Sequence, residues 1–147
     1  MERLPDPEAL AAWRAFLLAH ARVTAQLEKE LDAERGLPLA WYDVLVQLSE
    51  GPPLGLRMHE LAAAVLLSRA GLTRLVDRMA AAGLVERRPC PDDRRGTYVT
   101  LAPAGRERLR DAAPVHLRGV AEHFTSKLTP AELAAMRTTL ARVVEPG

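Results

Sequence analysis

A single cysteine, Cys90, leaves this chain without an intrachain disulfide or a multi-cysteine metal site. Aromatic residues are almost as scarce, at 4%, so an interior has to be assembled from aliphatic side chains. No apolar run approaches the roughly 20 residues that a membrane-spanning helix needs. Residues 1–6 lack the charged-then-apolar layout of an export signal. The expectation is a cytoplasmic chain with no membrane partner. Nucleophile-and-base arrangements, a glycine-rich phosphate loop and paired catalytic carboxylates are missing as well, so no enzyme is expected and no cofactor is implied. A length of 147 residues suits one ordinary domain.

What is present is mostly Ala and Leu, which favours helices. The net charge of +1 conceals a segregation of sign. Residues 1–56 carry five Lys/Arg against nine Asp/Glu, residues 57–110 eleven against six, and residues 111–147 four against four. All eleven basic residues of the middle stretch are arginines, whose planar fork suits bidentate contacts to phosphate and to guanine edges.

Local signals divide the chain. Asp6 as N-cap, Pro7 in the first helical position and Gly36 past the end bracket one long helix. Within it Leu10, Trp13, Leu17, His20, Thr24, Leu27 and Leu31 recur at spacings of three and four, a seam too long for a small monomer to cover, so a partner subunit is expected. Residues 39–49 and 58–65 read as short helices. A third helix, 68–82, opens at Ser68 as N-cap and ends at Gly83, with Leu72, Leu75, Val76 and Met79 inward. Helices 58–65 and 68–82, joined by a few residues, make a helix-turn-helix candidate. The period then changes toward two: 84–88 and 97–101 read as strands, with the polar insert 89–96 between them. Pro103 opens another helix and Pro114 marks an interruption where a kink is expected. Thr129-Pro130-Ala131-Glu132 is a capping box that starts the last one.

Helix, helix and two-stranded ribbon is the winged helix-turn-helix order. Three stretches carry a closer resemblance: Glu60-Leu61-Ala62, then Leu67-Ser68-Arg69-Ala70-Gly71-Leu72-Thr73-Arg74-Leu75-Val76-Asp77-Arg78-Met79, then Ala82-Gly83-Leu84-Val85-Glu86-Arg87-Arg88. With Asp93-Arg94-Arg95 and Val99-Thr100-Leu101 they carry a resemblance, over about residues 35 to 110, to the MarR (multiple antibiotic resistance regulator) family. It departs from the family pattern at Ala70 and Gly71, where Ser or Thr is frequent, and at Ala102, where a capping Thr is usual. The fold expected is mainly α with a small two-stranded β wing. Residues 6–35 and 103–145 are the expected dimerisation helices, and 37–102 the DNA-binding part of a single chain.

In such a motif the N-terminal part of the second helix enters the major groove, which puts Ser68, Arg69, Thr73 and Arg74 at or near double-stranded DNA. Arg74 is the first choice for a base edge, with Arg69 and Arg78 at phosphates. The resemblance assigns Arg95 to the minor groove, Asp93 to orienting it, and Arg94 to a nearby phosphate. It further implies a homodimeric repressor, released from a palindromic operator by a small aromatic or phenolic effector. Trp13, Phe16, His20, Trp41 and Tyr42 are candidate effector contacts, although core packing accounts for them equally well. The alternative is a constitutive architectural DNA-binding protein without an effector. His116 and His123 are seven apart on one helical face near Glu122, but no tight His-x-x-x-His pair accompanies them and no metal is expected. Cys90 reads as an incidental exposed thiol.

Overall fold

The first helix starts where its cap places it: the Asp6 carboxylate accepts from the Ala9 N–H at 2.8 Å, and Pro7 occupies the first turn, where its missing N–H costs nothing. The computed structural model describes residues 1–67, 70–91 and 93–146, without the side chains of residues 93–95. In chain order the elements are α1 (Pro7–Arg35), α2 (Leu39–Glu50), β1 (Leu56–Arg57), α3 (Met58–Ala64), α4 (Leu72–Ala81), β2 (Val85–Cys90), β3 (Asp93–Leu101) and α5 (Pro103–His123). A 3-10 turn, Thr125–Lys127, then leads to α6 (Pro130–Val144). None of these helices is long and apolar enough to cross a membrane among the described residues. The chain divides into two compact units, Met1–Glu30 with His116–Gly147, and Leu31–Val115.

The unit Leu31–Val115 holds almost all the core. Leu31, Leu45, Leu61, Val76, Met79 and Val99 are fully buried. They come from α1, α2, α3, α4 and β3, so the apolar faces of short helices close over one side of a sheet. That sheet has three strands in the order β1-β3-β2, all antiparallel. The ribbon expected from the sequence therefore gains a third strand, whose two residues, Leu56 opposite Val99 and Arg57 opposite Tyr98, are too few to show a period. The strands of the wing also run further than 84–88 and 97–101. Pro89 reads as a breaker, yet β2 is an edge strand, where a residue without an N–H is tolerated. The ladder slips between Pro89 and Cys90, and Val85 and Cys90, at the two ends of the strand, are its buried residues. Cys90 is buried, not the exposed thiol expected.

Pro114 does not end α5. Its ring offers no N–H to the Arg110 carbonyl. Beside that gap Arg35, the last residue of α1, donates Nε to the Asp111 carbonyl at 3.3 Å and pairs with the Asp111 carboxylate at 3.2 Å.

The other unit is sparsely packed. Along α1 the seam is exposed at Leu10, Trp13 and Leu17, and on α6 no residue is buried. Leu27 is the single buried large apolar residue of this unit among the described residues. The α6 capping box forms as its sequence demands: Thr129 Oγ1 accepts from the Glu132 N–H at 3.1 Å, and Glu132 Oε1 accepts from the Thr129 N–H at 2.9 Å. The Thr129 backbone N–H, aided by its hydroxyl, holds the Glu132 carboxyl below its usual range.

Gly105 tests how tightly α5 meets the sheet. A Cβ there would lie 2.0 Å from the Leu84 carbonyl oxygen and 2.9 Å from Leu101 Cδ1. Replacing a helical glycine by alanine ordinarily stabilises by about 1 kcal/mol, whereas overpacking costs about 1–3 kcal/mol. Gly105→Ala is expected to lower the urea midpoint, against the helix-propensity trend, and an unchanged midpoint would show that the contact yields.

Candidate nucleic-acid interface

The turn between α3 and α4 is held from outside itself. Asp43 lies in α2, a helix whose other buried residues are Leu39, Tyr42, Val44, Leu45 and Leu48, and is only 6% exposed. Its Oδ2 accepts from the Leu66 N–H at 2.7 Å and the Leu67 N–H at 3.0 Å, and Oδ1 accepts from Gln47 Nε2 at 3.2 Å. A carboxylate carried into an apolar interior is costly unless hydrogen-bonded. Here three donors meet it, and two of them are the backbone groups left over where α3 stops. Nothing in the local sequence of the turn announces this. The only trace is a lone acidic residue on a largely apolar helical stretch.

The second helix of the motif starts later than expected. Gly71, at φ 70, is the N-cap residue of α4, and the helix proper begins at Leu72, so Ser68 is not its cap. Glycine takes this left-handed conformation without the steric penalty that a Cβ imposes. Ser68 and Arg69 lie outside the described residues. From Leu72 onward α4 is strongly two-sided: Leu72, Val76 and Met79 are buried, while Thr73, Arg74, Asp77 and Arg78 are exposed. Leu75, expected inward, is half-buried. Three of the expected contacts, Thr73, Arg74 and Arg78, thus share one solvent-facing side. Thr73 and Arg74 also line an open cleft of about 550 Å³ with Met58 and His59 at the start of α3. His59 was not among the residues expected from sequence. It is exposed.

Among the described residues, one salt bridge joins the wing to this helix and another lies within β2. Arg87 Nη2 on β2 lies 2.8 Å from Asp77 Oδ1 on α4, and Arg88 pairs with Glu86 at 3.2 Å. Each is a surface pair, contributing little to stability but setting which way the arginines point. On β1 the Arg57 guanidinium sits over the Tyr98 ring, 5.7 Å from its centroid. Asp93, Arg94 and Arg95 start β3 at the wing tip, and their side chains lie outside the described residues.

The aromatic candidates fall into two sets. Trp13, Phe16 and His20 belong to the unit containing Met1–Glu30, and Trp41 and Tyr42 to Leu31–Val115. Trp13, 55% exposed, stacks on Phe16 with ring centroids 6.1 Å apart, and His20 is exposed. Trp41 is half-buried and Tyr42 buried. Burial, with the negative charge of Glu50 adding to it, raises the Tyr42 hydroxyl above its ordinary pKa.

A short helix, a turn, a second helix with a basic outer face and an antiparallel wing braced against it define a winged helix-turn-helix protein. The MarR family model matches residues 35–96. AbsC, a MarR family transcriptional regulator from Streptomyces coelicolor, is 36% identical, with 97% of this chain and 95% of that one covered at a TM-score of 0.84. Sco3205, a MarR family regulator from the same organism solved in complex with DNA, is 32% identical over 99% of this chain and 94% of its own, also at 0.84. The chain belongs to the MarR family. The multiple antibiotic resistance protein MarR of Escherichia coli is 31% identical over 85 residues, 58% of this chain and 59% of that protein. The match thus spans about three fifths of the length of that curated relative. These relatives are transcriptional regulators, not enzymes.

Removing the Asp43 carboxylate should loosen the motif. Asp43→Ala leaves the Leu66 and Leu67 N–H groups without their acceptor and is expected to cost about 2–3 kcal/mol. Asp43→Asn, which keeps an acceptor oxygen, should cost less than about 1.5 kcal/mol. Chemical unfolding of both variants measures the difference, and equal losses would show that the side chain acts by packing alone.

Proposed function

We propose that the protein is a homodimeric, sequence-specific DNA-binding transcriptional regulator in which α4 enters the major groove and the wing lies along the adjacent minor groove. The observation that carries this reading is the exposed face of Thr73, Arg74 and Arg78 on α4; Asp43 holds the Leu66 and Leu67 N–H groups just after α3. The DNA complex of Sco3205, at 32% identity, supports it. On this reading Arg74 meets a base edge, Arg69 and Arg78 meet phosphates, and Ser68 stands near the helix entry. Arg95 reaches the minor groove with Asp93 orienting it, while Arg94 contacts a phosphate. Acting on DNA puts the protein in the cytoplasm.

Residues 6–35 and 103–145 serve as dimerisation helices around the DNA-binding part, 37–102. The exposed seam of Leu10, Trp13 and Leu17, with Leu27 as the one large buried side chain of its unit among the described residues, supports a second copy as the cover. Two-fold symmetry then matches a palindromic operator, with half-sites about one helical turn apart. The regulator acts as a repressor, and a small aromatic or phenolic effector releases it by favouring a dimer shape with the wrong spacing. The exposed Trp13–Phe16 pair offers ring faces for such a ligand, and Trp41 and Tyr42 are the contacts in the other unit.

Two outcomes test these assignments. Arg74→Ala should cost about 1–3 kcal/mol per half-site and relax preference at one base pair, whereas Arg94→Ala should weaken all DNA alike and reduce the salt slope by about one. Fluorescence anisotropy on operator and scrambled duplexes separates them. Equal effects on every sequence would favour a sequence-blind architectural binder. For the effector, reciprocity requires that operator DNA and ligand weaken one another by the same factor, about 5- to 150-fold for ordinary coupling. Calorimetry with an aromatic acid, with and without operator, measures that factor, and Trp13→Phe and Trp41→Phe show which tryptophan the ligand meets. Identical affinities in the two titrations would exclude that acid as an inducer.

A further inference from the structure

Three side chains from two helices converge at one place in the unit that holds Met1–Glu30 and His116–Gly147. Glu30 comes from α1, and Glu122 and His123 from the last turn of α5. One ligand-type atom from each lies within 4.8 Å of the other two. His123 Nε2 and Glu30 Oε1 are 2.5 Å apart, with side chains 18% and 31% exposed. Gly119, one turn before His123, makes the approach feasible: a Cβ there would lie 2.7 Å from Leu27 Cδ2 and 3.0 Å from Glu30 Oε2. A larger residue at 119 would push the Glu30 carboxylate off its partner.

We propose that Glu30, Glu122 and His123 form a binding site for a divalent transition-metal ion of the zinc class. Two carboxylates beside one imidazole are a donor set that repels itself. A divalent cation offsets both carboxylates at once. The mixture of one imidazole nitrogen and carboxylate oxygens selects zinc-like ions over magnesium and calcium, which prefer all-oxygen sites. Three protein ligands with water in the fourth position make a four-coordinate site. Zinc–ligand distances of about 2.1 Å set ligand atoms roughly 3.4 Å apart, so the His123–Glu30 contact of 2.5 Å has to open by about 1 Å, while Glu122 lies within 4.8 Å of both partners. The metal takes the place of the proton between His123 Nε2 and Glu30, and that proton is released to solvent. The three ligands were not legible together in the sequence, because Glu30 and His123 are 93 residues apart.

The site is tested by titrating the full chain with Zn²⁺ against a chromophoric chelator. One saturable Zn²⁺ per chain is expected, unaffected by excess Mg²⁺ or Ca²⁺. Co²⁺ in its place should show the strong visible absorption of a four-coordinate complex. Loss of a group that merely orients a metal ligand costs about 10- to 100-fold in affinity, so Glu30→Gln, Glu122→Gln and His123→Gln should each lose at least tenfold, while His116→Gln, on the same helix but outside the cluster, retains the affinity. Glu122 is exposed, so Glu122→Gln keeps the test intact should the Glu30 or His123 variant fold poorly. Absence of saturable binding, or full affinity in Glu122→Gln, would overturn the proposal.

Discussion

The winged helix-turn-helix of this protein depends on one buried carboxylate. Asp43 collects the backbone N–H groups that α3 leaves behind and holds the chain where it turns toward α4. Because the turn receives its hydrogen bonds from α2, its own residues need not supply them. Leu66 sits there 80% exposed, a residue with neither turn propensity nor a polar group. Which side of α4 faces outward follows from its own apolar face, since burial of Leu72, Val76 and Met79 leaves Thr73, Arg74 and Arg78 exposed.

The parts legible in the sequence were those with local causes. Asp6 and Thr129 start helices by contacts three residues long, and the amphipathic pattern of α4 placed Val76 and Met79 inside without any knowledge of what covers them. The parts misread have competing or distant causes. Ser68 has the chemistry of a cap, but Gly71 takes the left-handed conformation that glycine adopts without strain and is the N-cap residue, so the helix begins at Leu72. Pro89 is a breaker in general and harmless on an edge strand. β1 exists only because β3 offers it a partner.

The residues of the proposed DNA interface and its support divide the same way. Thr73, Arg74 and Arg78 follow from helical periodicity once the core side is known. Asp43 does not, because its role is defined by backbone groups 23 and 24 residues away. The aromatic candidates were chosen by residue type alone. The structure separates an exposed stacked pair, Trp13 and Phe16, from Tyr42, which contributes to the apolar interior of the other unit.

The thin core of the unit that holds most of α1 has an evolutionary consequence. Side chains such as Leu10, Trp13 and Leu17 stay exposed in their own chain, so with a second copy as their cover, as proposed above, they answer mainly to the partner's matching surface. A duplicated gene could drift on that face, both copies changing in step with themselves, while the reading surface stayed untouched. A few such changes suffice to make mixed pairs fit poorly. Related regulators in one cell could then remain insulated from one another while still reading similar DNA.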